Sequence, residues 1–403
     1  MIFKNSRQVA ITIILIANSL FAQSKHPEVN IIETGSRGYI NNPDWSNDSN
    51  LLAFEFKPAN APTKIMVVDV SQGISAIDLF SNTPSTSSLL ITIDQGTMRL
   101  PQWSQLINNS LYLLRSDNRS RLLSKIDRVT IKDLPMKKSL LKPLDKTMKQ
   151  ESQIVEYYPQ RIELIEYLFI RQQNTPGMID YTDQFGDISK ISGLEKFVGG
   201  SELIDSFNFS KLSPKLLLCK GQDNQKQIII GILNIQMGGI ESVDYEIVNV
   251  EKSPSSALQE PSFSPGSDDL FAYLEVKKNS HDMTSYELLI HSLERQESYH
   301  LTDNIYRNEE NKTSQPLSTS YAWHPTQNII YFIDKFSNRS ILLADYSDLS
   351  NPTIQELSLE LEYVENLSVS PDGKYLAAIT SSSSFSESED ALNQLHLITL
   401  DVK

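Results

Sequence analysis

The stretch that decides the fold lies near the C-terminus: Val369-Ser370-Pro371-Asp372-Gly373-Lys374-Tyr375-Leu376-Ala377-Ala378-Ile379. Pro371 suits the second position of a tight turn, and Asp372 with Gly373 supplies the left-handed geometry that sends a chain back antiparallel. A short strand, a turn and a second, apolar strand are therefore written in eleven consecutive residues.

Weaker copies of the same phrase run along the chain. Pro43-Asp44-Trp45-Ser46-Asn47-Asp48 leads to Leu51–Phe54, and Pro101-Gln102-Trp103-Ser104 leads to Leu111–Leu113. Phe209-Ser210 leads to Leu216–Leu218, Pro261-Ser262-Phe263-Ser264-Pro265-Gly266 to Leu270–Tyr273, and Trp323-His324-Pro325 to Ile329–Phe332. The anchors Trp45, Trp103, Phe209, Phe263, Trp323 and Val369 are separated by 58, 106, 54, 60 and 46 residues. The interval of 106 is nearly twice the others, which places one eroded copy near residues 155 to 170, with Ile165–Ile170 as its second strand. A third β-rich run follows each pair, at Ile65–Val70, Leu122–Ile126, Ile228–Leu233, Tyr286–Ile290, Ile341–Ala344 and Leu395–Leu400. Branched and aromatic residues bounded by polar turn residues are a strand signature.

Units of this length with four strands each predict an all-β protein, a β-propeller of six or seven blades, seven being favoured because six copies are visible and one gap fits another. The third strand of the last copy ends three residues before Lys403, so that blade lacks an outer strand of its own. The apolar segment Val29–Glu33 is otherwise unassigned and is expected to supply it, closing the ring and removing an exposed edge.

The phrase resembles the repeat of the TolB-like, or PD40 (WD40-like), periplasmic propellers, whose pattern is tryptophan, serine, proline, aspartate and glycine before an apolar strand. The resemblance covers about residues 42 to 403 and is closest at Val369–Gly373 and Phe263–Gly266, whereas Trp45, Trp103 and Trp323 keep only the anchor. It implies a propeller of the bacterial envelope that binds other proteins. TolB carries an α/β domain before its propeller, while here the first repeat starts about 20 residues after the expected cleavage site.

The N-terminus reads as an address. Lys4 and Arg7 precede the apolar run Val9–Ala17, and Asn18-Ser19-Leu20-Phe21-Ala22 leads into polar sequence, the order of a secretory signal peptide. The apolar run is about half of the ~20 residues a bilayer span needs. Residues 1–22 are therefore expected to be removed after Ala22, leaving 23–403 as a single propeller domain in the periplasm or outside the cell, with no integral membrane segment. The one cysteine, Cys219, sits after Leu216–Leu218 and reads as a buried small hydrophobe rather than a reactive thiol. A lone cysteine leaves no intrachain disulfide, so the core must hold the fold.

Composition excludes other classes. Fifteen glycines in 403 residues, 39% hydrophobic and 21% charged residues rule out collagen-like, disordered and polytopic membrane chains. The formal charge of -14 repels phosphate backbones, so nucleic acid is not an expected partner.

Serine fills the slot after the anchor in five copies, Ser46, Ser104, Ser210, Ser264 and Ser370. Nucleophilic catalysis needs one serine activated by one base; five equivalent serines are explained by turn-capping hydrogen bonds. His324 occupies the same slot and takes the same role. No glycine-X-serine-X-glycine elbow occurs, and no residues remain after the last repeat for a hydrolase domain. Of the six histidines, His26, His281, His291, His300, His324 and His396, no two have a tight chelating spacing, although His281, His291 and His300 fall within one blade. Glycine-rich phosphate loops are absent. No catalytic, cofactor-binding or metal-ligating residue is assigned, and no cofactor is expected.

Two charge features stand out. Lys125, Arg128, Lys132, Lys137, Lys138, Lys142, Lys146 and Lys149 stand against three acidic residues in one stretch, which reads as a solvated loop with an outer strand or as a dock for an acidic partner or anionic lipid headgroups. The polar insertion Ser381–Asp390 reads as a rim loop of the last blade. The expected function is a noncatalytic protein-binding or scaffold module with an envelope partner; the alternative is an enzyme acting on a saccharide or peptide in the channel.

Overall fold

The computed structural model describes residues 27–32, 34, 37–58, 61–70, 76–78, 96–104, 107–117, 124–131, 142–143, 153–162, 165–172, 179–183, 188–191, 204–221, 227–236, 239–250, 252, 256–278, 284–307, 320–357, 359–381 and 393–400. These residues build seven four-stranded antiparallel sheets, arranged as a β-propeller. After β1 (Val29–Ile32), the first sheet takes β2 (Gly38–Trp45), β3 (Leu51–Pro58), β4 (Lys64–Asp69) and β5 (Ala76–Asp78). The second takes β6 (Gly96–Trp103), β7 (Ser110–Asp117), β8 (Ser124–Thr130) and β9 (Lys142–Pro143); the third takes β10 (Gln153–Ile162), β11 (Ile165–Gln172), β12 (Ile179–Asp183) and β13 (Ile188–Lys190). The fourth takes β14 (Ile204–Phe209), β15 (Lys215–Lys220), β16 (Gln227–Gln236) and β17 (Gly239–Val248). The fifth takes β18 (Ala257–Ser264), β19 (Ser267–Lys278), β20 (Thr284–Ser292) and β21 (Glu297–Thr302); the sixth takes β22 (Tyr321–Trp323), β23 (Ile329–Ile333), β24 (Ile341–Asp345) and β25 (Thr353–Glu356). The seventh takes β26 (Val364–Val369), β27 (Tyr375–Thr380) and β28 (Gln394–Thr399), with β1 as its fourth strand through Val29↔Ile398 to Ile32↔Leu395. The third sheet fills the doubled interval between Trp103 and Phe209. Among the described residues no helix is long and apolar enough to cross a membrane.

The second strands β15, β23 and β27 carry unbroken apolar runs because both of their faces are covered. Alternate side chains of a strand point to opposite faces, and here they go to different neighbours. Leu52, Phe54 and Phe56 of β3 pack with Ala377, Ile379 and Leu395 of the seventh sheet, whereas Leu51 and Ala53 join Trp103, Leu111 and Leu113 of the second. Leu216 and Leu218 of β15 meet Ile179 and Tyr181 of the third sheet, while Leu217 and Cys219 meet Phe263, Phe271 and Tyr273 of the fifth. In β23, Ile330 and Phe332 face the fifth sheet and Tyr331 and Ile333 the seventh. Each fully buried side chain of this size contributes roughly 1.5–3 kcal/mol, so the core is a series of shared layers between sheets.

The inner strands carry a common irregularity. Asn41 pairs Glu55 and Asp44 pairs Ala53, so Asn42 and Pro43 together stand opposite Phe54 alone. The same two-against-one bulge occurs at Leu100-Pro101 and Glu260-Pro261. In all three the residue before proline has a positive φ, 47°, 49° and 54° at Asn42, Leu100 and Glu260. Proline has no N–H to leave unpaired and is tolerated at such a bulge. The strain at Leu100 is offset by the adjoining sheet: its N–H donates to Oε1 of buried Glu55 at 2.6 Å.

The turn of the deciding phrase is held equally tightly. Gly373 has φ +73°, and a Cβ there would lie 2.5 Å from Cε1 of His324 in the sixth sheet's turn. That ring is itself fixed, because Nδ1 accepts the amides of Thr326 and Gln327. Gly373→Ala is expected to cost more than about 1 kcal/mol, read as a lowered urea midpoint. Gly266→Ala, whose Cβ would meet nothing nearer than 4.0 Å, leaves the midpoint unchanged.

Candidate functional site

The turns between first and second strands gather at one end of the propeller. Ser46 Oγ donates to Asp48 Oδ1 at 2.6 Å and accepts the Leu51 amide at 2.9 Å; Ser370 Oγ does the same with Asp372 at 2.7 Å and Tyr375 at 2.9 Å. Burial acts to raise both aspartates, but the hydroxyl and amide donors outweigh it and hold Asp48 and Asp372 below the usual carboxylate range. Ser104 accepts the Ile107 amide, and Ser210 accepts those of Leu212 and Ser213 while donating to Asp268 of the fifth sheet. Ser264 bonds the Tyr346 hydroxyl. His324 caps its turn through Nδ1, and burial pulls its pKa below the usual value against a bond to the Gly373 backbone. All five serines and the histidine in this slot are thus bound into turns or neighbouring sheets.

A second set of residues stands one place earlier, directly before the anchors, and sequence reasoning passed over it. The Trp103 backbone N–H donates to Asp44 Oδ2 at 2.6 Å, and its indole Nε1–H donates to the Asp44 carbonyl at 3.1 Å. The Phe263 amide donates to Asn208 Oδ1 at 3.0 Å, and Trp323 Nε1–H to Ser262 Oγ at 2.9 Å. Trp45 Nε1–H donates to the Ser368 carbonyl at 3.2 Å. In each case the anchor of one sheet is held by the residue preceding the anchor of the sheet before it. The signal was present in the sequence, since five of the six positions, Asp44, Gln102, Asn208, Ser262, Ala322 and Ser368, are polar.

Asp44 is the charged member of that set. It is half-buried, and burial pushes its carboxyl up to about 6 against the pull of the Trp103 amide and of the Lys211 ammonium. Lys211 sits in the fourth sheet's turn, next to Leu212, which is 58% exposed. Burial pulls the Lys211 ammonium below its usual range, with Asp44 opposing. Lys211 is nevertheless exposed. The first and fourth sheets are not neighbours, yet each of these two charges bears on the other's protonation. Asp44, Lys211 and Leu212 form the candidate site.

Of the other described histidines, His291 and His300 lie on paired strands of the fifth sheet and His396 lies in the seventh. His291 Nδ1 lies 2.9 Å from Ser298 Oγ, with its ring 5.1 Å from that of Phe271; His300 Nε2 lies 3.9 Å from Glu287; and His396 Nε2 lies 3.0 Å from Thr380 Oγ1. His26 and His281 lie outside the described residues. Among the described residues no group of three or more histidine, cysteine or acidic side chains could hold a metal ion. Cys219 is buried, with Sγ 3.1 Å from the Leu258 carbonyl. Of the basic stretch, residues 125–130 and 142–143 fall in β8 and β9, where Asp127 is buried and paired with Arg115 at 2.6 Å. The insertion Ser381–Asp390 lies outside the described residues beyond Ser381.

No family model matches the sequence, and no curated protein does. Solved structures do. The β-propeller domain of Cps50 (Swd1) from Myceliophteria thermophila aligns over 93% of this chain and 99% of that one, at TM-score 0.52 and 10% identity. A puromycin-hydrolysing peptidase of Mycobacterium tuberculosis aligns over 87% of this chain at TM-score 0.58 and 10% identity, and the chain spans about half of it, 52%. A structure assigned to TolB from Agrobacterium tumefaciens aligns over 66% of this chain and 82% of its own, with a TM-score of 0.43 and 11% identity, too slight to argue from. At these identities the likeness is one of fold, a β-propeller.

The Asp44 carboxyl gives the site a pH signature. Its folded-state pKa of about 6 lies above the ordinary 3.8, so the stability it contributes is complete below the ordinary value and is lost as pH rises through the folded one. Asn keeps the acceptor for the Trp103 amide without the charge. Asp44→Asn is expected to raise the melting temperature relative to the unmodified protein at pH 7.5 by more than at pH 4.5, read by paired thermal melts.

Proposed function

We propose that the chain is an exported propeller of the TolB-like type, a ring of seven blades closed by its N-terminal strand, and a noncatalytic protein-binding module of the cell envelope. Its place is the periplasm, or the exterior, once residues 1–22 are removed. The observation that carries this reading is a division of labour among polar residues. Those that recur in the repeat are engaged in turns and between sheets, whereas Lys211, the one charged residue at its place among the turns, and Leu212 beside it are exposed. The pairing of β1 with β28 and the bonds from Trp45 to Ser368, from Asn366 to Asn41 and from Asp372 to Ser49 support closure. The signal-like N-terminus supports export.

Closure is tested by deleting residues 23–35, which should lower the melting temperature by many degrees; an unchanged melt rejects it. The binding role is tested by crosslinking the C-terminally tagged mature protein in intact cells and identifying what it retains by mass spectrometry. A reproducible envelope protein, lost from Leu212→Asp while the variant melts normally, is the expected result. Retention of nothing above background, with turnover of a saccharide or peptide by the purified protein, overturns it in favour of a channel enzyme.

A further inference from the structure

We propose that the outer strand of the fourth sheet, β17, is a docking edge for an extended peptide segment that alternates basic and apolar residues and pairs along it as a fifth strand. This surface is separate from the Lys211 turn and takes no support from the envelope reading.

The first argument is length. An exposed sheet edge is a template for another strand, and proteins ordinarily blunt it by keeping it short, with lysine or proline, or with a bulge. The outermost strands of the other sheets, β1, β5, β9, β13, β21 and β25, run four, three, two, three, six and four residues. β17 runs ten, with neither lysine nor proline, and among the described residues only β16 pairs with it. Its isoleucines, valines and tyrosine are good strand formers. The one irregularity leaves Glu241 outside the ladder, after which Ser242 to Val248 run in unbroken register, from Asn234↔Ser242 to Ile228↔Val248. That uninterrupted run exceeds the commonest strand length of about five to six residues, so a partner can form a complete strand against it.

The second argument is the pattern on the two faces of the strand, to which alternate residues point. Val243 and Tyr245 turn toward the third sheet and pack in the core of Ile179 and Tyr181, and Ile247 follows them in the alternation. Ile247 pairs with fully buried Ile229 yet is itself 43% exposed, so the apolar face continues to the edge and ends there uncovered. The opposite face carries Ser242, Asp244 and Glu246, with Ile232, the cross-strand partner of Asp244, 45% exposed. Asp244 and Glu246 are both exposed. Asn234 Nδ2 donates to Ser242 Oγ at 3.0 Å and reaches Asp244 Oδ2 at 3.4 Å, which ties the polar rows of β16 and β17 together.

A strand added outside β17 therefore meets two acids on one face and apolar surface on the other. Directly opposite side chains attract when oppositely charged and repel when alike. Lysine or arginine suits the places opposite Asp244 and Glu246, and valine or isoleucine those opposite Val243, Tyr245 and Ile247. The same rule disfavours a second copy of this chain. Antiparallel self-pairing about Asp244 sets that carboxylate against its own copy, and pairing about Tyr245 sets Asp244 against Glu246 twice. In docking of this kind main-chain hydrogen bonds supply affinity and the alternating side chains supply selectivity.

The test titrates acetyl-Thr-Val-Lys-Val-Lys-Val-Thr-amide, a palindrome that permits either strand direction, into the mature protein by calorimetry, and follows hydrogen exchange of residues 239–248. One control peptide carries glutamate in place of both lysines. Another is methylated on the nitrogens of the central valine and one adjoining lysine, neighbours whose N–H groups point to opposite edges, so that one of them must face β17. The lysine peptide is expected to bind about tenfold more tightly than the glutamate peptide and to slow exchange in 239–248, and the methylated peptide to lose binding. Asp244→Lys/Glu246→Lys, at two exposed positions, should reverse the preference between the charged peptides. If that variant does not fold, Asp244→Asn replaces it and should narrow the preference. Failure of the lysine peptide to bind, equal affinity for both charged peptides, unchanged exchange in β17, or a preference that the charge variants leave intact overturns the proposal. A wild-type dimer in sedimentation that Ile247→Asp dissolves gives the edge to a second copy and overturns it as well. Peptide binding at β17 without any protein captured from cells leaves the edge standing and removes the envelope partner, while capture without peptide binding does the converse, so the two readings fail separately.

Discussion

A β-strand has two faces, and in this chain both faces of the second strands are apolar. Leu52, Phe54 and Phe56 cannot be buried by the sheet that buries Leu51 and Ala53, so one sheet needs neighbours on both sides. The same division runs through β15, β19, β23 and β27. No sheet can complete its core alone, which is the usual condition of repeat architectures. Stability is therefore a property of the arrangement, and the ends of the chain become its most exposed points unless something covers them.

Face-to-face apolar packing has little directional preference and would allow neighbouring sheets to slide. Hydrogen bonds from the anchors set the offset. Trp45, Trp103, Phe263 and Trp323 each donate to a fixed place in the preceding sheet, through an indole or a backbone amide. Those contacts fall at the inner edge, where blades converge and where a small angular error would grow toward the rim. The bulges one turn earlier serve the same geometry. They bend the inner strand at Asn42, Leu100 and Glu260, positions whose left-handed backbone is strained for ordinary side chains, and Glu55 and Tyr321 bind backbone atoms of two of them from the next sheet or the previous one. Strain within a sheet is thus balanced by contacts between sheets.

Much of the fold was legible because the turn phrase is local chemistry. Proline, aspartate and glycine at fixed offsets from an aromatic residue specify a hairpin without reference to the rest of the chain, and even the copy that lost its phrase left its length behind, now filled by β10 to β13. Outer strands were not legible. β5, β9 and β13 span two or three residues and carry no apolar alternation, since a strand with one partner and a solvated edge has little to bury. The acceptors before each anchor were overlooked for another reason: they lie inside the phrase, and their role appears only when the following repeat is laid against it. Asp44 and Lys211 were illegible in principle from local pattern, being far apart in sequence and linked only through the arrangement of the sheets.

This last point bears on how function can be found in a repeat protein. Selection for architecture acts on every copy, so what recurs is what the blades require: the anchor, the capping serine and the acceptor before the anchor. A ligand meets the channel as an asymmetric object and needs groups at particular azimuths, which repetition cannot supply. Departures from the repeat are therefore the informative residues. Position 44 departs by bearing a charge where neutral acceptors suffice, and position 211 departs by bearing a lysine where other turns carry proline or amides. That two independent departures, from sheets that do not touch, are charged oppositely and feel one another is what separates them from scattered surface variation. Replacing the carboxylate by an amide would leave the acceptor that Trp103 needs while removing a charge whose burial weighs on the fold once pH exceeds about 6.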